Sequence, residues 1–313
     1  MVLVNVKNKN RFFMSNAMFR KQISILEKYL NRNDLVEIII NREGEVILET
    51  TSGEWLKKAD KNITIQKIRS LTETMATMSG QKFDLTFPMF SGRIPSYDYR
   101  IQVNIGAHVA SGVAVAIRIG QSTTFSIDSY MTEDKANQLI QMVKEGRTIL
   151  INAATGCGKT TFLNSLIAHI PLDQRIITLE DTQELIVPHS NCIAFLKSKN
   201  STDIAGLKFG DFINSMLRLR PDRILLGEID IENTMAFLNI ANSGHSGSIS
   251  TIHADNANEA LNKLCLNAQL SGVKGGKDEI LGYANEAIDC FVSLSKNIEN
   301  GKRVFRASFT ENF

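Results

Sequence analysis

Apolar residues change their spacing several times along the chain, and the changes mark out elements. Met18, Phe19, Ile23, Leu26 and Leu30 recur at helical spacing, which predicts a helix over residues 17–30 with one buried side. Leu35–Ile40 and Glu45–Glu49 then read as strands around Asn41-Arg42-Glu43-Gly44, a hairpin signal. Ile65, Ile68, Leu71, Met75 and Met78 return to helical spacing, a stripe that reads as core. Tyr99–Ile105 and Val113–Ile119 read as two more strands joined by a glycine-containing turn. Residues 1–120 thus predict a small α+β domain on an antiparallel sheet.

Gln121–Asp128 is rich in Ser and Thr and has no periodicity, so 121–131 reads as a linker. Ala136, Leu139, Ile140 and Val143 then share one helical face. Short apolar runs follow at Thr148–Ile151, Arg175–Leu179, Ile224–Gly227, Ser248–Thr251, Ile288–Leu294 and Val304–Phe309, alternating with helical stretches. Such alternation predicts an α/β domain over 132–313, with a largely parallel sheet flanked by helices. Ligands of such sheets bind beyond the C-terminal ends of the strands.

Composition narrows this picture. A length of 313 residues suits two domains, and a hydrophobic share of 43% is ample for packed cores. A formal charge of +2 lacks the basic excess of a nucleic-acid binder, so no direct nucleic-acid partner is expected. Cys157, Cys192, Cys265 and Cys290 lie far apart with no CxxC pair, which argues against a zinc site or a disulfide framework and fits a reducing cytosol. No signal peptide and no apolar run of about 18 residues is visible. Phe12, Phe13, Met14, Met18 and Phe19 among Arg11, Arg20 and Lys21 suit a helix face packed on the N-terminal domain. The other reading is a segment lying at a membrane surface.

The chemistry concentrates after the first run of the second domain. Asn152-Ala153-Ala154-Thr155-Gly156-Cys157-Gly158-Lys159-Thr160-Thr161 stands between a strand signal and a helix signal, the context a phosphate-binding loop needs. Gly156 and Gly158 let backbone N–H groups turn toward phosphate oxygens, and the helix N-terminus adds partial positive charge. The candidate binding residues are Ala154, Thr155, Gly156, Cys157, Gly158, Lys159, Thr160 and Thr161. Lys159 would reach the β- and γ-phosphates, and the Thr160 hydroxyl would sit on Mg²⁺. Cys157 reads as small filler. The strict pattern has Gly where this chain has Ala153, which costs little if φ there is negative.

Two acidic elements follow. Ile224-Leu225-Leu226-Gly227-Glu228 is a buried strand ending in an acid, the Walker B arrangement, and Glu228 is the candidate base or water-positioner. Ile177-Thr178-Leu179-Glu180-Asp181-Thr182-Gln183-Glu184 places three carboxylates at another strand end. Either they hold metal and water, which we prefer for Glu180 and Glu184, or they point away as a solvated, capping turn. His253 follows Ser250-Thr251-Ile252, where it could sense the γ-phosphate through a hydrogen bond.

These four elements, in this order, resemble the secretion-ATPase superfamily of type II secretion, type IV pili and type IV secretion. Ala153–Thr160, Glu180–Glu184, Ile224–Glu228 and Thr251–Ala254 correspond to its Walker A loop, acidic box, Walker B motif and His box. Leu217-Arg218-Leu219-Arg220-Pro221-Asp222-Arg223 and Ser243-Gly244-His245 add specificity. Within the superfamily the chain is most similar to traffic ATPases of the VirB-eleven family, over about residues 35–295. The resemblance implies a RecA-like P-loop NTPase domain after a smaller α+β domain, ATP and Mg²⁺ as ligands, and a homo-hexamer. It implies work with other secretion-system proteins at the cytoplasmic face of the inner membrane, with peripheral membrane contact. It also implies arginines from the N-terminal lobe in the site, matched by position to Arg118 and Arg100. In the family an Arg commonly follows two residues after Gly-Glu, where this chain has Asp230. A RecA-like nucleic-acid motor and a nucleotide-binding assembly regulator with weak turnover are the rival readings.

Overall fold

The computed structural model describes residues 17–97, 99–119, 125–197, 205–299 and 302–311. The chain divides into two compact units, one containing Met1–Ser122 and Lys197–Leu207, the other Thr123–Leu196 and Lys208–Phe313.

In the first unit, α1 (Ala17–Leu30) buries Phe19, Ile23, Leu26, Tyr29 and Leu30. Met18 lies on the other side of that helix, 61% exposed. Residues 11–14 of the N-terminal apolar segment lie outside the described residues. The strands are β1 (Leu35–Ile40), β2 (Glu45–Thr50), β3 (Trp55–Ala59), β4 (Met89–Ile94), β5 (Tyr99–Ile105) and β6 (Val113–Arg118), with α2 (Ile65–Met78) after β3. They form an antiparallel sheet in the order β3-β2-β1-β6-β5-β4. Inward side chains at alternate positions, including Ile38, Leu48, Val103 and Ile117, meet the apolar faces of both helices. β3 and β4 are edge strands that the apolar pattern did not signal. β3 carries Lys57 and Lys58, and β4 follows Pro88 and contains Gly92.

The second unit begins with a 3₁₀ turn at Ile127–Ser129, inside the segment read as linker. From there the chain is packed: Tyr130 is buried and meets Phe162 edge-on at 4.9 Å between ring centroids. The elements that follow are α3 (Glu133–Glu145), β7 (Ile149–Asn152), α4 (Lys159–Ile167), β8 (Ile176–Glu180), β9 (Cys192–Leu196), α5 (Phe209–Arg218) and β10 (Arg223–Leu226). After these come α6 (Thr234–Asn242), β11 (Ile249–Ile252), α7 (Ala257–Leu270), α8 (Lys277–Ala287), β12 (Cys290–Glu299) and β13 (Lys302–Glu311). The sheet order is β13-β12-β7-β11-β10-β8-β9, parallel except where β12 meets β13. β7 faces two cores, Ile149 and Ile151 packing with Phe162 and Leu166 of α4, and Leu150 packing with Phe237 and Phe291. β12 outruns the expected end at Leu294 by five residues, to Glu299.

Arg223 fixes the N-terminal edge of this sheet. Its guanidinium is 3% exposed and donates to Gln174 Oε1 (2.8 Å), Val143 O (3.1 Å), Lys144 O (3.4 Å) and Gly247 O (3.4 Å). Two of those carbonyls end α3, where a cation also suits the helix dipole. Gly247 has φ +82°, and a Cβ there would collide with the Arg223 guanidinium.

Candidate functional site

Sheet order explains how distant motifs meet. β11 lies between β7 and β10. A residue just past the C-terminal tip of β11 is therefore flanked by the loop after β7 and by the residues after β10. His253 holds that position. Its Nδ1 lies 2.8 Å from Lys159 Nζ, and its Nε2 lies 2.8 Å from Glu228 Oε1. The same Nζ lies 3.4 Å from His253 Nε2, so the ammonium, the imidazole and the carboxylate cluster around the ring, with Glu228 and His253 about one-third exposed at 36% and 39%. Lys159 Nζ also donates to Ala153 O at 3.4 Å.

The loop itself is set by backbone. Gly156 and Gly158 have φ of +75° and +77°, a region that favours glycine. α4 starts at once with Lys159, so its first-turn N–H groups open toward the loop. Ala154, Thr155, Cys157, Thr160 and Thr161 complete this stretch, and Cys157 is buried in the α4 core as filler. Among the described residues the only non-glycine residues with positive φ are Ser96 and Arg220, so Ala153 sits without backbone strain. The strand tip before the loop is tied on one side and reaches the other. Asn152, fully buried, donates to Ser293 Oγ on β12 at 3.0 Å and lies 3.5 Å from Ala254 O beyond β11.

Two further groups hold the other side. Lys263 of α7 donates to His253 O at 2.8 Å, and Asn233 Nδ2 donates to Glu228 O at 2.8 Å. Asp230 Oδ1 accepts from the N–H groups of Glu232 (2.9 Å) and Asn233 (3.2 Å). The residue that departs from the family pattern therefore builds the turn into α6. Asn152 opens the glycine-loop string but was given no role there, and Lys263 and Asn233 were not singled out, because each acts on backbone or on a buried neighbour.

The acidic box turns inward. Glu180 is 5% exposed, and its Oε1 accepts from the N–H groups of Glu184 (2.7 Å) and Leu185 (2.9 Å). The carboxylate caps a turn, as in the second of the two readings, but it does so buried and not pointing away into solvent. Its Oε2 is buried with no hydrogen-bond partner among the described residues. Burial pushes the Glu180 carboxyl up to about 7, against the two N–H bonds, which pull it down. Asn164 of α4 binds this loop from the other side, donating to Glu184 O (3.0 Å) and accepting from Ile186 N (2.8 Å). Two hydrogen bonds thus tie the phosphate-loop helix to the acidic box. Among the described residues no cluster of three His, Cys, Asp or Glu side chains would hold a metal by itself. A divalent ion here would take most of its ligands from phosphate and water.

Arg118 and Arg100 stand in the first unit. They are directly opposed across β5 and β6, and the same row continues to Arg93 on β4 and to Glu37 and Glu49 on β1 and β2. Burial pushes the Glu37 carboxyl up, and Arg118 pulls it back.

The family described as Type II/IV secretion system protein matches residues 20–270. The type IV secretion system protein VirB11 of Bartonella quintana is 30% identical over 333 aligned positions, covering 92% of this chain and 93% of its own. The conjugal transfer protein TrbB of Rhizobium radiobacter is 30% identical over 285 positions, covering 86% and 82%. The crystal structure of the pilus retraction motor PilT with bound ADP superposes with a TM-score of 0.66 at 18% identity, covering 93% of this chain and 83% of its own. That likeness supports the fold alone.

Proposed function

From the premise that the chain belongs to the Type II/IV secretion system protein family, we infer that it is an ATPase whose turnover powers type IV secretion. It works within the secretion machinery and uses a nucleotide. The observation that carries the reading is the Lys159–His253–Glu228 cluster at the end of a glycine loop and a helix N-terminus.

In this scheme the amides of Ala154–Thr161 and the Lys159 ammonium grip the triphosphate. Lys159 leaves His253 for phosphate oxygen as the tail enters. His253 is then free to hold Glu228 or to sense the γ-phosphate, and Glu228 orients the attacking water in line. Thr160, on the first turn of α4, would hold Mg²⁺, which supplies charge neutralisation at the phosphates when bound. The orphaned Oε2 of Glu180 is a second oxygen with no protein partner to lose. Glu184 and its neighbours keep that oxygen in place. Arg118 and Arg100 complete the charge cancellation.

We further assign a homo-hexamer, with peripheral contact at the cytoplasmic face of the inner membrane. Among the described residues no helix is long and apolar enough to cross a membrane. The features that favoured a non-hydrolysing regulator have structural accounts: Ala153 is unstrained and Asp230 caps a turn. Phosphate release from ATP–Mg²⁺ by the purified chain, read together with particle mass with and without nucleotide, tests the scheme. Absence of hydrolysis by assembled particles overturns it.

A further inference from the structure

We propose that Lys296, on the free end of the β12–β13 hairpin, is a second cationic contact for the phosphate tail, an inference that rests on nucleotide binding at residues 153–160. β12 pairs with β7 only from Cys290 to Ser293, opposite Ile149 to Asn152. β7 stops there and turns into the glycine loop. β12 continues in the same direction to Glu299, with β13 as its partner throughout. The overrun therefore passes beside the loop.

Strand alternation decides which side chains face it. Cys290, Val292 and Leu294 all pack into the core that holds Phe162 and Leu166 of α4. Lys296 is next on that face. Its Nζ stands 3.9 Å from where a Cβ on Gly156 would be. The residue directly across from it, Phe305, packs on the same core and backs the lysine stem.

Charge supplies the second argument. The other basic side chain described on this arm, Arg306, is engaged by Glu299 at 2.7 Å. The Lys296 ammonium has no carboxylate partner among the described residues. An unpaired cation beside amides that bind anions adds attraction for a polyphosphate and little for an uncharged part of the ligand. Lys159 is the cation on the α4 side of the loop, and Lys296 supplies one from the β12 side.

The test is equilibrium titration of the full chain with ATP, ADP and AMP, comparing parent, Lys296→Ala, Lys296→Arg and Lys159→Ala. Lys296→Ala is expected to weaken ATP roughly tenfold, ADP less and AMP hardly at all, and Lys296→Arg to restore ATP binding. Parental ATP affinity in Lys296→Ala, with binding lost in Lys159→Ala, overturns the Lys296 contact and leaves the nucleotide site standing. An equal loss for all three nucleotides also overturns it, because the contact would not be to phosphate. A parent chain that binds no ATP removes the nucleotide site itself. Lys296 is exposed, and near-ultraviolet circular dichroism checks that each variant keeps its packing.

Discussion

His253 Nε2 lies 2.8 Å from Glu228 Oε1, although the two residues come from different strands and are separated by a helix and a loop. The contact follows from β11 lying beside β10 in the sheet. It gives the carboxylate one fixed orientation. Replacing His253 by Ala is expected to lower turnover about a hundredfold while nucleotide affinity changes little. Glu228→Gln is expected to bind ATP and fail to release phosphate. Parallel assays of binding and phosphate release check both, and unchanged release in Glu228→Gln would reassign the base.

Arg118 ends β6 and is exposed, so its loss leaves the packing of that sheet intact. Arg118→Ala is expected to lower turnover by about 10³-fold or more, with thermal stability nearly unchanged. Lys159→Ala is expected to abolish nucleotide-dependent activity. Steady-state kinetics beside melting curves separate loss of chemistry from loss of fold. A variant lacking Arg118 that hydrolyses like the parent would remove the arginine from the site.

Glu180 makes stability depend on pH. Its folded pKa, about 7, is above the ordinary 4.5, so the folded chain holds the proton more tightly. Stability attributable to this group is fully present below about 4.5 and falls as pH rises toward about 7, after which the loss is complete. Over that window the gap between parent and Glu180→Gln is expected to shift by up to about 3 kcal/mol in favour of the variant. Denaturant titrations of both at several pH values read the shift, and parallel pH curves would contradict it.

Gly247 has no room for a methyl group. The nearest atoms of Arg223 are held by four hydrogen bonds, and the backbone there has positive φ. Gly247→Ala is expected to destabilise the second unit by about 3 kcal/mol or more. Chemical denaturation measures the loss, and a change under about 0.5 kcal/mol would show that Arg223 can move aside.

Much of this was legible from the residues. The strands β7, β8, β10 and β11 are short runs buried at every position, with no charged residue inside them and only Thr178, Ser250 and Thr251 as interior polar positions, so their signal is strong. The glycine loop announces itself because only a few side chains tolerate its backbone. The edges were harder to read. β3 is largely exposed and charged, β4 contains Gly92, and β9 has β8 as its one neighbour. The sequence reading also preferred Glu180 as a metal and water ligand, and in the structure one of its oxygens caps a turn. Nothing local distinguishes those two fates for a carboxylate at a strand end. Lys296 was missed for a related reason, since the overrun of β12 depends on β13 and not on its own apolar pattern.

The neighbours of β7 set an order of events at the ribosome. Both strands that flank it, β11 and β12, are encoded far downstream, and the last of them begins at Cys290. A nascent chain shorter than that exposes one open edge of the strand that carries the phosphate loop. The strand that carries the phosphate loop is therefore completed on both edges only after Cys290 and the residues that follow it have been made, which ties the glycine loop's support to segments more than a hundred residues downstream.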